Sequence, residues 1–417
     1  MLFTPPTPAF EAVRNTAAPA ALARATELGT FHGSGKFLGT GTSASYQTDV
    51  RTAPGWLSVR RPVGFLAGRK SALGTDALSL FKTMVRTASG WLSARASVHF
   101  SNAGDAPGAG DYHLPVFPGE SAEWMAAGEG KFIIDGTLGG GGHSEIFLNA
   151  GARVLGVDRD PEALAHARQR LASHGDRFST WEGNFSRLQE IPGIQQGERA
   201  DGLLMDLGVS SRQLDSAERG FSFMREGPLD MRMGPSSPRT AAEVVNTWPE
   251  AELVRILFEF GEEKRARKIA GTIVRQRAEK PFVTTLDLAN CIEKAIGRQG
   301  RTHPATRTFQ AIRMAVNEEL ESLATALAAV PKVLKPGGYL LIITFHSLED
   351  RMVKRFLKHR STEFLDEPGW PEPRPNPEFQ FRLLSRKAIA PTAGEISDNP
   401  RARSAKLRVA QLLDPTS

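Results

Sequence analysis

The chain has 417 residues, of which 40% are hydrophobic and 24% charged, a composition typical of a globular protein with room for two domains and an extra segment. Its single cysteine, Cys291, excludes an internal disulfide and a cysteine-based zinc site, so we expect no metal and a reducing compartment such as the cytoplasm. The longest apolar run, Tyr339 to Phe345, is far shorter than the roughly 20 residues of a membrane span, so no membrane association is expected.

The net charge of +6 lies entirely in one part of the chain. Residues 1–110 contain 11 Lys and Arg against 5 Asp and Glu, whereas residues 111–417 contain 41 of each sign. A basic protein is often a nucleic-acid binder, but here the remainder of the chain is neutral overall. Any RNA site in residues 111–417 must therefore be a local patch.

Residues 1–110 differ from the rest in being rich in Ala, Ser, Thr and Gly. They contain a weak repeat in which Leu38-Gly39-Thr40, Val50-Arg51-Thr52 and Gly55-Trp56-Leu57-Ser58 recur 35 residues later. Two copies are too few for a solenoid. We expect a disordered extension without a role in the activity. The alternative is an organellar transit segment, which would place the protein in an organellar matrix.

Residues 111–211 show the alternation of an α/β domain. Apolar runs indicate strands that end in a carboxylate at Lys131–Asp135, Arg153–Asp158 and Gly202–Asp206, and Phe178–Phe185 indicates another. Pro161–Leu171 has the composition of a helix. This order predicts a doubly wound parallel sheet.

The sequence pattern of residues 212–305 predicts an inserted helical domain. Thr247 with Glu250, and Thr284 with Asp287, are the capping pairs that we expect to begin two of its helices. A long helix is predicted over Arg307–Val330, and the strand pattern resumes at Tyr339–Phe345. Residues 306–417 therefore form the second part of the α/β domain.

Three strand-end aspartates, Asp135, Asp158 and Asp206, predict a ligand site at the carboxyl edge of the sheet. A glycine cluster, Gly139 to Gly142, follows the first, and Asp158 is placed to bind ribose hydroxyls. The ligand is a dinucleotide or S-adenosylmethionine. The GxGxxG spacing fits poorly because Ser144 stands at its third small position, which favours S-adenosylmethionine.

Longer motifs carry a specific resemblance to a known family. Seven of them, in order, resemble those of the ribosomal RNA small-subunit methyltransferase H family, and together they span about residues 112–412. They begin at the following positions: Asp135-Gly136-Thr137, Asp206-Leu207-Gly208, Leu229-Asp230-Met231, Phe260-Gly261-Glu262, His303-Pro304-Ala305, Phe345-His346-Ser347 and Asn399-Pro400-Arg401.

The resemblance implies a Rossmann-like class I methyltransferase fold with S-adenosylmethionine as cofactor. It implies methyl transfer to N4 of a cytidine in the decoding region of small-subunit (16S) ribosomal RNA. By the same resemblance, the residues that contact the cofactor or complete its pocket are Gly141, Gly142, His143, Asp158, Phe185, Asp206 and Gln213. Arg212 stands where the family often has proline, which changes the stiffness of the loop more than its chemistry.

The expected mechanism needs a hydrogen-bond acceptor for the cytosine amino group, because its lone pair is delocalised into the ring. Asp206 or the backbone after it is our candidate, and His346 could take up the proton or only make a structural hydrogen bond. Two basic patches are candidates for RNA contact. They consist of Arg301, His303, Arg307 and Arg313, and of Arg401, Arg403, Lys406 and Arg408.

Recognition of RNA by shape favours an assembled or nearly assembled small subunit as the partner. Two other functions stay open at this point. One is a nicotinamide-dependent oxidoreductase, and the other is an RNA-binding assembly factor that keeps the fold without catalysis.

Overall fold

The computed structural model describes residues 115–414, except 299, 301 and 302, and the backbone of five strands between Gly33 and Ala94. The chain divides into two compact units, Met1–Gly108 and Ala109–Ser417. Most of residues 1–110 lie outside the described part, so the disordered extension and its targeting alternative remain predictions.

Within the first unit, both copies of the sequence repeat form an antiparallel hairpin. Arg51 pairs with Trp56 in one hairpin and Arg86 with Trp91 in the other, so equivalent residues occupy equivalent positions in the register. The strands are β1 (Gly33–Leu38), β2 (Ala44–Thr52), β3 (Gly55–Val63), β4 (Thr83–Thr87) and β5 (Gly90–Ala94). The repeat is therefore reflected in the backbone pairing.

The second unit contains a seven-stranded sheet with the order β13-β14-β10-β9-β6-β7-β8. The five strands from β10 to β8 are parallel, β14 runs antiparallel to β10, and the edge strand β13 runs antiparallel to β14. Its strands are β6 (Phe132–Asp135), β7 (Arg153–Asp158), β8 (Phe178–Glu182), β9 (Ala200–Asp206), β10 (Leu334–Thr344), β13 (Phe381–Leu383) and β14 (Lys406–Leu412). A separate two-stranded ladder joins β11 (Phe364–Leu365) to β12 (Arg374–Pro375). The predicted Rossmann-like α/β fold is confirmed.

The predicted central strands form close to the expected positions, with one shortened. The expected strand over 178–185 ends at Glu182, and Phe185 already begins a 3-10 helix. Gly183 lies between them, where a Cβ atom would come within 2.3 Å of the Trp181 ring. A side chain at this position would have to displace the Trp181 ring, so the turn after β8 favours glycine.

Helices flank the sheet, and all of them except α5 and α13 bury apolar residues in the cores beside it. These are α1 (Pro118–Met125), α2 (Gly142–Asn149), α3 (Pro161–Arg170), α4 (Pro192–Gln195), α5 (Ser211–Asp215), α11 (Glu319–Val333), α12 (Ser347–Arg360) and α13 (Ala393–Asp398). No helix among the described residues is long and apolar enough to cross a bilayer.

Five further helices pack around a core of their own. They are α6 (Ala241–Thr247), α7 (Glu250–Glu259), α8 (Ala266–Glu279), α9 (Thr285–Ile296) and α10 (Thr306–Asn317). Their buried residues include Ile256, Ile269, Ile292 and Phe309. Helix content in this part of the chain thus agrees with the prediction for 212–305, although the boundaries of the insert remain a proposal.

Two helix-end predictions in this region are wrong. Thr247 ends α6 instead of capping α7, because its hydroxyl donates to the Glu243 carbonyl, and Thr240 with Glu243 forms the capping box of α6. The single helix expected over 307–330 is broken at Glu318, whose φ of 51° starts α11 on a new axis. The Thr284 and Asp287 capping box of α9 is confirmed.

Asn317, the last residue of α10, is hydrogen-bonded to the loop that precedes the inserted helices. Its Oδ1 accepts from Met233 N at 2.8 Å and Ser237 Oγ at 2.9 Å, and its Nδ2 donates to the Met231 carbonyl at 2.7 Å. All of these contacts are buried, where an unmade hydrogen bond costs about 1–3 kcal/mol. The loop is thereby held at the edge of the sheet where the candidate site lies.

Candidate active site

A pocket opens at the carboxyl edge of the parallel strands, where a doubly wound sheet places its ligands. Segments following β6, β7, β8, β9 and β10 line it, together with the segment before β14. Its polar lining includes His143, Asp158, Arg159, Asn184, Asp206, Ser210, Gln213, Asn399 and Arg401. Six of the seven predicted site residues line it, and Gly141 does not.

The glycine loop after β6 gives the pocket one wall made of backbone. Gly139, Gly140 and Gly142 line the pocket, whereas Gly141 adopts a φ of 79° and caps α2. A Cβ atom on Gly141 would lie 3.0 Å from the Leu171 side chain. Gly141 thus shapes the loop from behind, and the predicted contact of this residue with the cofactor remains a prediction.

Asp158, at the end of β7, has both carboxylate oxygens engaged by backbone. Oδ2 accepts from Gly139 N at 2.8 Å and Oδ1 accepts from Asp160 N at 2.9 Å. Burial raises the pKa of this carboxyl to about 6, although the two backbone N–H groups act in the opposite direction. Each oxygen keeps a second lone pair, so the carboxylate holds the glycine loop and can still accept a hydroxyl.

Asp135, at the end of β6, does not line the pocket. Its carboxylate is buried and accepts from Ser144 Oγ at 2.8 Å and Thr137 N at 3.3 Å, and burial raises its pKa. The first of the three strand-end aspartates therefore serves to fix the glycine loop to α2.

Asp206, at the end of β9, is the carboxylate with an unengaged oxygen. Its Oδ1 is buried and has no hydrogen-bond partner among the described residues, and Oδ2 lies 3.8 Å from His143 Nδ1. Burial raises the pKa of Asp206 to about 7, and nearby Asp135 and Glu349 add to the rise, while His143 opposes it. A buried acceptor without a donor is costly in the free protein and available to a ligand.

His143, in the first turn of α2, is held by the segment before α1. Its Nε2 lies 2.8 Å from the Val116 carbonyl, which can only accept, so Nε2 carries a proton. Nδ1 then lies 3.8 Å from Asp206 Oδ2. His143 is therefore fixed by its backbone partner beside the Asp206 carboxylate.

Gln213 and Phe185 approach the pocket from the loops after β9 and β8. Gln213 closes a capping box with Ser210, with its Oε1 accepting from Ser210 N at 3.0 Å, and its Nε2 donates to Asp160 at 3.3 Å. Phe185 follows Asn184, whose Nδ2 donates to Ser322 Oγ at 2.9 Å. Arg212, the position that departs from the family pattern, pairs with Glu162 outside the pocket at 3.2 Å.

The C-terminal segment contributes residues to the pocket that the sequence analysis assigned elsewhere. Asn399 and Arg401 line the pocket, whereas the sequence placed Arg401 in an RNA patch. The motif that begins at Asn399 marked this segment as important. The motif alone could not show that the segment lies beside the pocket, because a motif does not reveal its neighbours in the sheet. Phe345, Arg159 and Met233 also line the pocket and were not predicted.

His346 does not line the pocket, and its contacts are structural. It caps α12, and its Nε2 lies 3.1 Å from the buried Glu349, whose pKa is lowered by this histidine and other donors against the effect of burial. With Glu319, these two side chains bring together three possible metal ligands. Arg313 already neutralises Glu319 through two 2.8 Å hydrogen bonds, which makes the group an ion-pair network.

The predicted basic patches are less positive than their composition suggests. Lys406 and Arg408 both bind Asp350 at 2.8–2.9 Å, and Arg313 is buried against Glu319. Arg307 is exposed, and Arg301 lies outside the described residues. A paired cation attracts phosphate less than a free one, so the number of basic residues overstates the RNA-binding charge.

Comparison with known proteins shows the family of the chain. Residues 111–413 match the MraW methylase family. A ribosomal RNA small subunit methyltransferase H of Carboxydothermus hydrogenoformans is 47% identical over 304 residues, covering 72% of this chain and 98% of that protein. One of Caulobacter sp. (strain K31) is 49% identical over 307 residues, covering 72% and 93%. Among solved structures, a methyltransferase of Streptococcus mutans bound to SAH gives a TM-score of 0.33 at 12% identity, covering 72% of this chain and 100% of that one. From the family match and the two sequence relatives, the chain belongs to the MraW methylase family.

Proposed function

We propose that this protein transfers a methyl group from S-adenosylmethionine to N4 of a cytidine in the decoding region of small-subunit ribosomal RNA. The observation that carries the proposal is the buried, unengaged Oδ1 of Asp206 in the pocket. Family membership supports a small-subunit ribosomal RNA as the methylated molecule. The choice of the cytidine amino group rests on the pocket chemistry and on the sequence motifs.

S-adenosylmethionine fits the donor set of the pocket. The cofactor carries a sulfonium and an ammonium, and the pocket offers the carboxylates of Asp158 and Asp206, both with a raised pKa in the free protein. A cation nearby would favour the ionised form of each carboxyl. Phe185 supplies an aromatic face for adenine. The bound cofactor supplies a methyl group already activated by sulfonium, so no metal and no covalent enzyme intermediate are required.

Each candidate residue then has a role that its contacts support. Asp158 binds the ribose while holding the glycine loop, and Gly142, His143, Phe185 and Gln213 complete the cofactor pocket. Gly141 gives the loop its left-handed turn. Placing two reactants at near-attack distance accounts for much of the rate in such a transfer, because the entropy of approach is lost on binding.

Asp206 acts on the nucleophile. Its Oδ1 accepts a hydrogen bond from the N4 amino group, which turns that nitrogen so that its lone pair faces the methyl carbon. As the N4–C bond forms and the S–C bond breaks, one N4 proton becomes acidic and moves to the Asp206 carboxylate. With a pKa of about 7, Asp206 can hold that proton and release it to water near neutral pH.

The partner is an assembled or nearly assembled small subunit. Residues 111–211 and 306–417 form the catalytic domain, and the helices of 212–305 extend the surface beside the pocket, while residues 1–110 are dispensable. The limited free positive charge of residues 111–417 argues against capture of any RNA by charge alone. A folded RNA surface offers several contacts at once, and the target base leaves its stack to enter the pocket.

The test is nucleoside mass spectrometry of small-subunit RNA from cells with and without the gene. We expect N4-methylcytidine to disappear from one decoding-region position in the deletion and to return when the gene is restored. An unchanged signal would refute the proposed function. An RNA-binding assembly factor would leave the signal intact, and an oxidoreductase would bind a nicotinamide cofactor in place of S-adenosylmethionine.

A further inference from the structure

The proposed methyl transfer uses neither of the two arginines that line the pocket, Arg159 and Arg401. Arg159 donates to the Asn317 carbonyl at 3.1 Å and to Ser237 Oγ at 3.0 Å, which leaves Arg401 as the candidate for ligand contact. It follows Asn399 in a 3-10 helix that leads directly into β14. Ala402 and Ala405 of this segment are buried in the core, and Asn399 Oδ1 accepts from Arg401 N at 3.2 Å. The backbone that carries Arg401 is thus fixed at the rim of the pocket.

One neighbour, Asp215, orients the guanidinium of Arg401 but does not engage all of its N–H donors. Its Nη2 donates to both oxygens of Asp215 at 2.9 and 3.0 Å, across 186 residues of sequence. Its Nη1 is buried and has no acceptor among the described residues. A guanidinium has five N–H donors in a fixed fork, so a carboxylate that engages one nitrogen leaves the others for a ligand.

The sheet order assigns Arg401 to one side of the pocket. β14 and β10 lie on one side of β9, whereas β6, β7 and β8 lie on the other. The ribose candidate Asp158 ends β7, so a cofactor held there occupies the β6–β8 side. Asp206, the acceptor for the target amino group, ends the strand between the two sides. The backbone of Arg401 therefore enters the pocket from beyond Asp206, which is the side left for the target nucleotide, and its guanidinium reaches across to Asp215 of α5.

We propose that Arg401 binds a phosphate of the target nucleotide and so positions its base over Asp206. The inference rests on the proposed function and adds the contact that holds the extruded nucleotide. A nucleotide that leaves its stack brings its own phosphate into the pocket, and guanidinium and phosphate match in geometry and charge. Lys406 and Arg408, which the sequence grouped with Arg401, are neutralised by Asp350 and do not share this role.

The test compares Arg401→Gln and Arg401→Lys with Arg403→Gln, using the full chain and purified small subunits. Arg403 is exposed in the same 3-10 helix, so its variant is the matched control for charge. We expect Arg401→Gln to lower kcat/KM for subunits about 10- to 150-fold, as loss of a charge-assisted hydrogen bond predicts. Arg401→Lys should recover part of the loss. Arg403 is the exposed arginine of the same predicted RNA patch but does not line the pocket, so Arg403→Gln should lower kcat/KM by no more than about threefold, as loss of a surface phosphate contact predicts.

Two further readouts separate a phosphate contact from a structural role. Affinity for S-adenosylhomocysteine should be unchanged in Arg401→Gln, which also shows that the variant is folded. The slope of log kcat/KM against log salt concentration should fall by about 1 in Arg401→Gln. A weakened cofactor affinity would instead assign Arg401 to the cofactor and overturn the proposal. An unchanged salt slope, or an effect no larger than that of Arg403→Gln, would also overturn it.

Failure of this inference and failure of the proposed function give different results. If the wild-type protein forms no N4-methylcytidine on small subunits, the proposed function fails and this inference fails with it. If the wild type forms the product and Arg401→Gln behaves as Arg403→Gln does, only the role of Arg401 is refuted.

Discussion

The two sides of the pocket differ in how completely their polar atoms are engaged. On the side of β6 and β7, the carboxylates of Asp135 and Asp158 accept hydrogen bonds from backbone N–H groups or Ser144. On the side of β9 and β14, Asp206 Oδ1 and Arg401 Nη1 are buried without partners among the described residues, whereas on the side of β7 the one such pocket-lining atom among those residues is Arg159 Nε. Engaged atoms rigidify a site in advance, whereas unengaged atoms are satisfied only when a ligand arrives.

The difference indicates that the two sides of the pocket bind different ligands. The first side is built before binding, as suits a cofactor that every turnover requires. Under the proposed function, the second side is completed by the target nucleotide, so a base with a different hydrogen-bonding edge would leave buried groups unpaired and be disfavoured. Such a penalty discriminates more strongly than a loss of apolar contact.

Replacing the unengaged acceptor should have the largest effect. We expect Asp206→Asn to slow N4-methylcytidine formation on small subunits by about 100- to 10,000-fold, the range typical of a lost general base. The control is Glu182→Gln, which changes an exposed carboxylate at the end of β8 and should stay within about twofold of the wild type. An Asp206→Asn protein that keeps more than a third of the wild-type rate would contradict the assignment.

Replacing the carboxylate on the engaged side should act on the cofactor. Asp158→Ala removes the proposed ribose acceptor and two hydrogen bonds to the glycine loop, so calorimetry should show S-adenosylhomocysteine binding weakened about 10- to 150-fold. Unchanged affinity in a folded variant would mean that the ribose lies elsewhere.

The raised pKa of Asp206 predicts a pH dependence. Asp206 must be ionised to accept the amino proton, and its pKa in the free protein is about 7. The protonated fraction grows below that value, so ionisation of Asp206 should raise kcat/KM for the cofactor about tenfold from pH 6 to pH 8, and that of Asp158 should add a further factor of about two. In Asp206→Asn the rise of kcat/KM centred near pH 7 should vanish. Only the rise centred near pH 6, which belongs to Asp158, should remain. A wild-type profile that is flat over this interval would be inconsistent with an ionisable group of this kind.

Removing residues 1–108 should have the smallest effect. The family match begins at residue 111, and the Carboxydothermus relative is covered over 98% of its length without any counterpart of this segment. The shortened chain should methylate small subunits at the wild-type rate. If it folds, as judged by S-adenosylhomocysteine binding, but cannot methylate, the extension has a function in the activity.

Much of the fold could be predicted from the sequence because the buried strands have a recognisable residue pattern. Phe132–Asp135, Arg153–Asp158 and Ala200–Asp206 are short apolar runs ended by a carboxylate, and their order implies a parallel sheet. The boundary at Glu318 could not be foreseen, because a left-handed φ at a non-glycine residue depends on tertiary contacts. The Thr247 prediction failed because another threonine, Thr240, made the same pattern seven residues earlier.

The site was predictable only in part, for a physical reason. Strand-end residues are brought together by the sheet itself, so Asp158 and Asp206 could be placed at one edge before the structure was known. Arg401 reaches the pocket through its pairing with Asp215, which no local pattern encodes. The number of basic residues in a patch also failed as a guide, because the pairing of Lys406 and Arg408 with Asp350 depends on β14 lying beside α12.

A crystal structure of the protein with S-adenosylhomocysteine and a cytidine nucleotide would test the central claim most directly. The account predicts that the N4 amino group lies about 3 Å from Asp206 Oδ1, with the nucleotide phosphate toward Arg401. A structure in which Asp206 Oδ1 instead binds the amino group of the cofactor, with the cytidine N4 elsewhere, would contradict it.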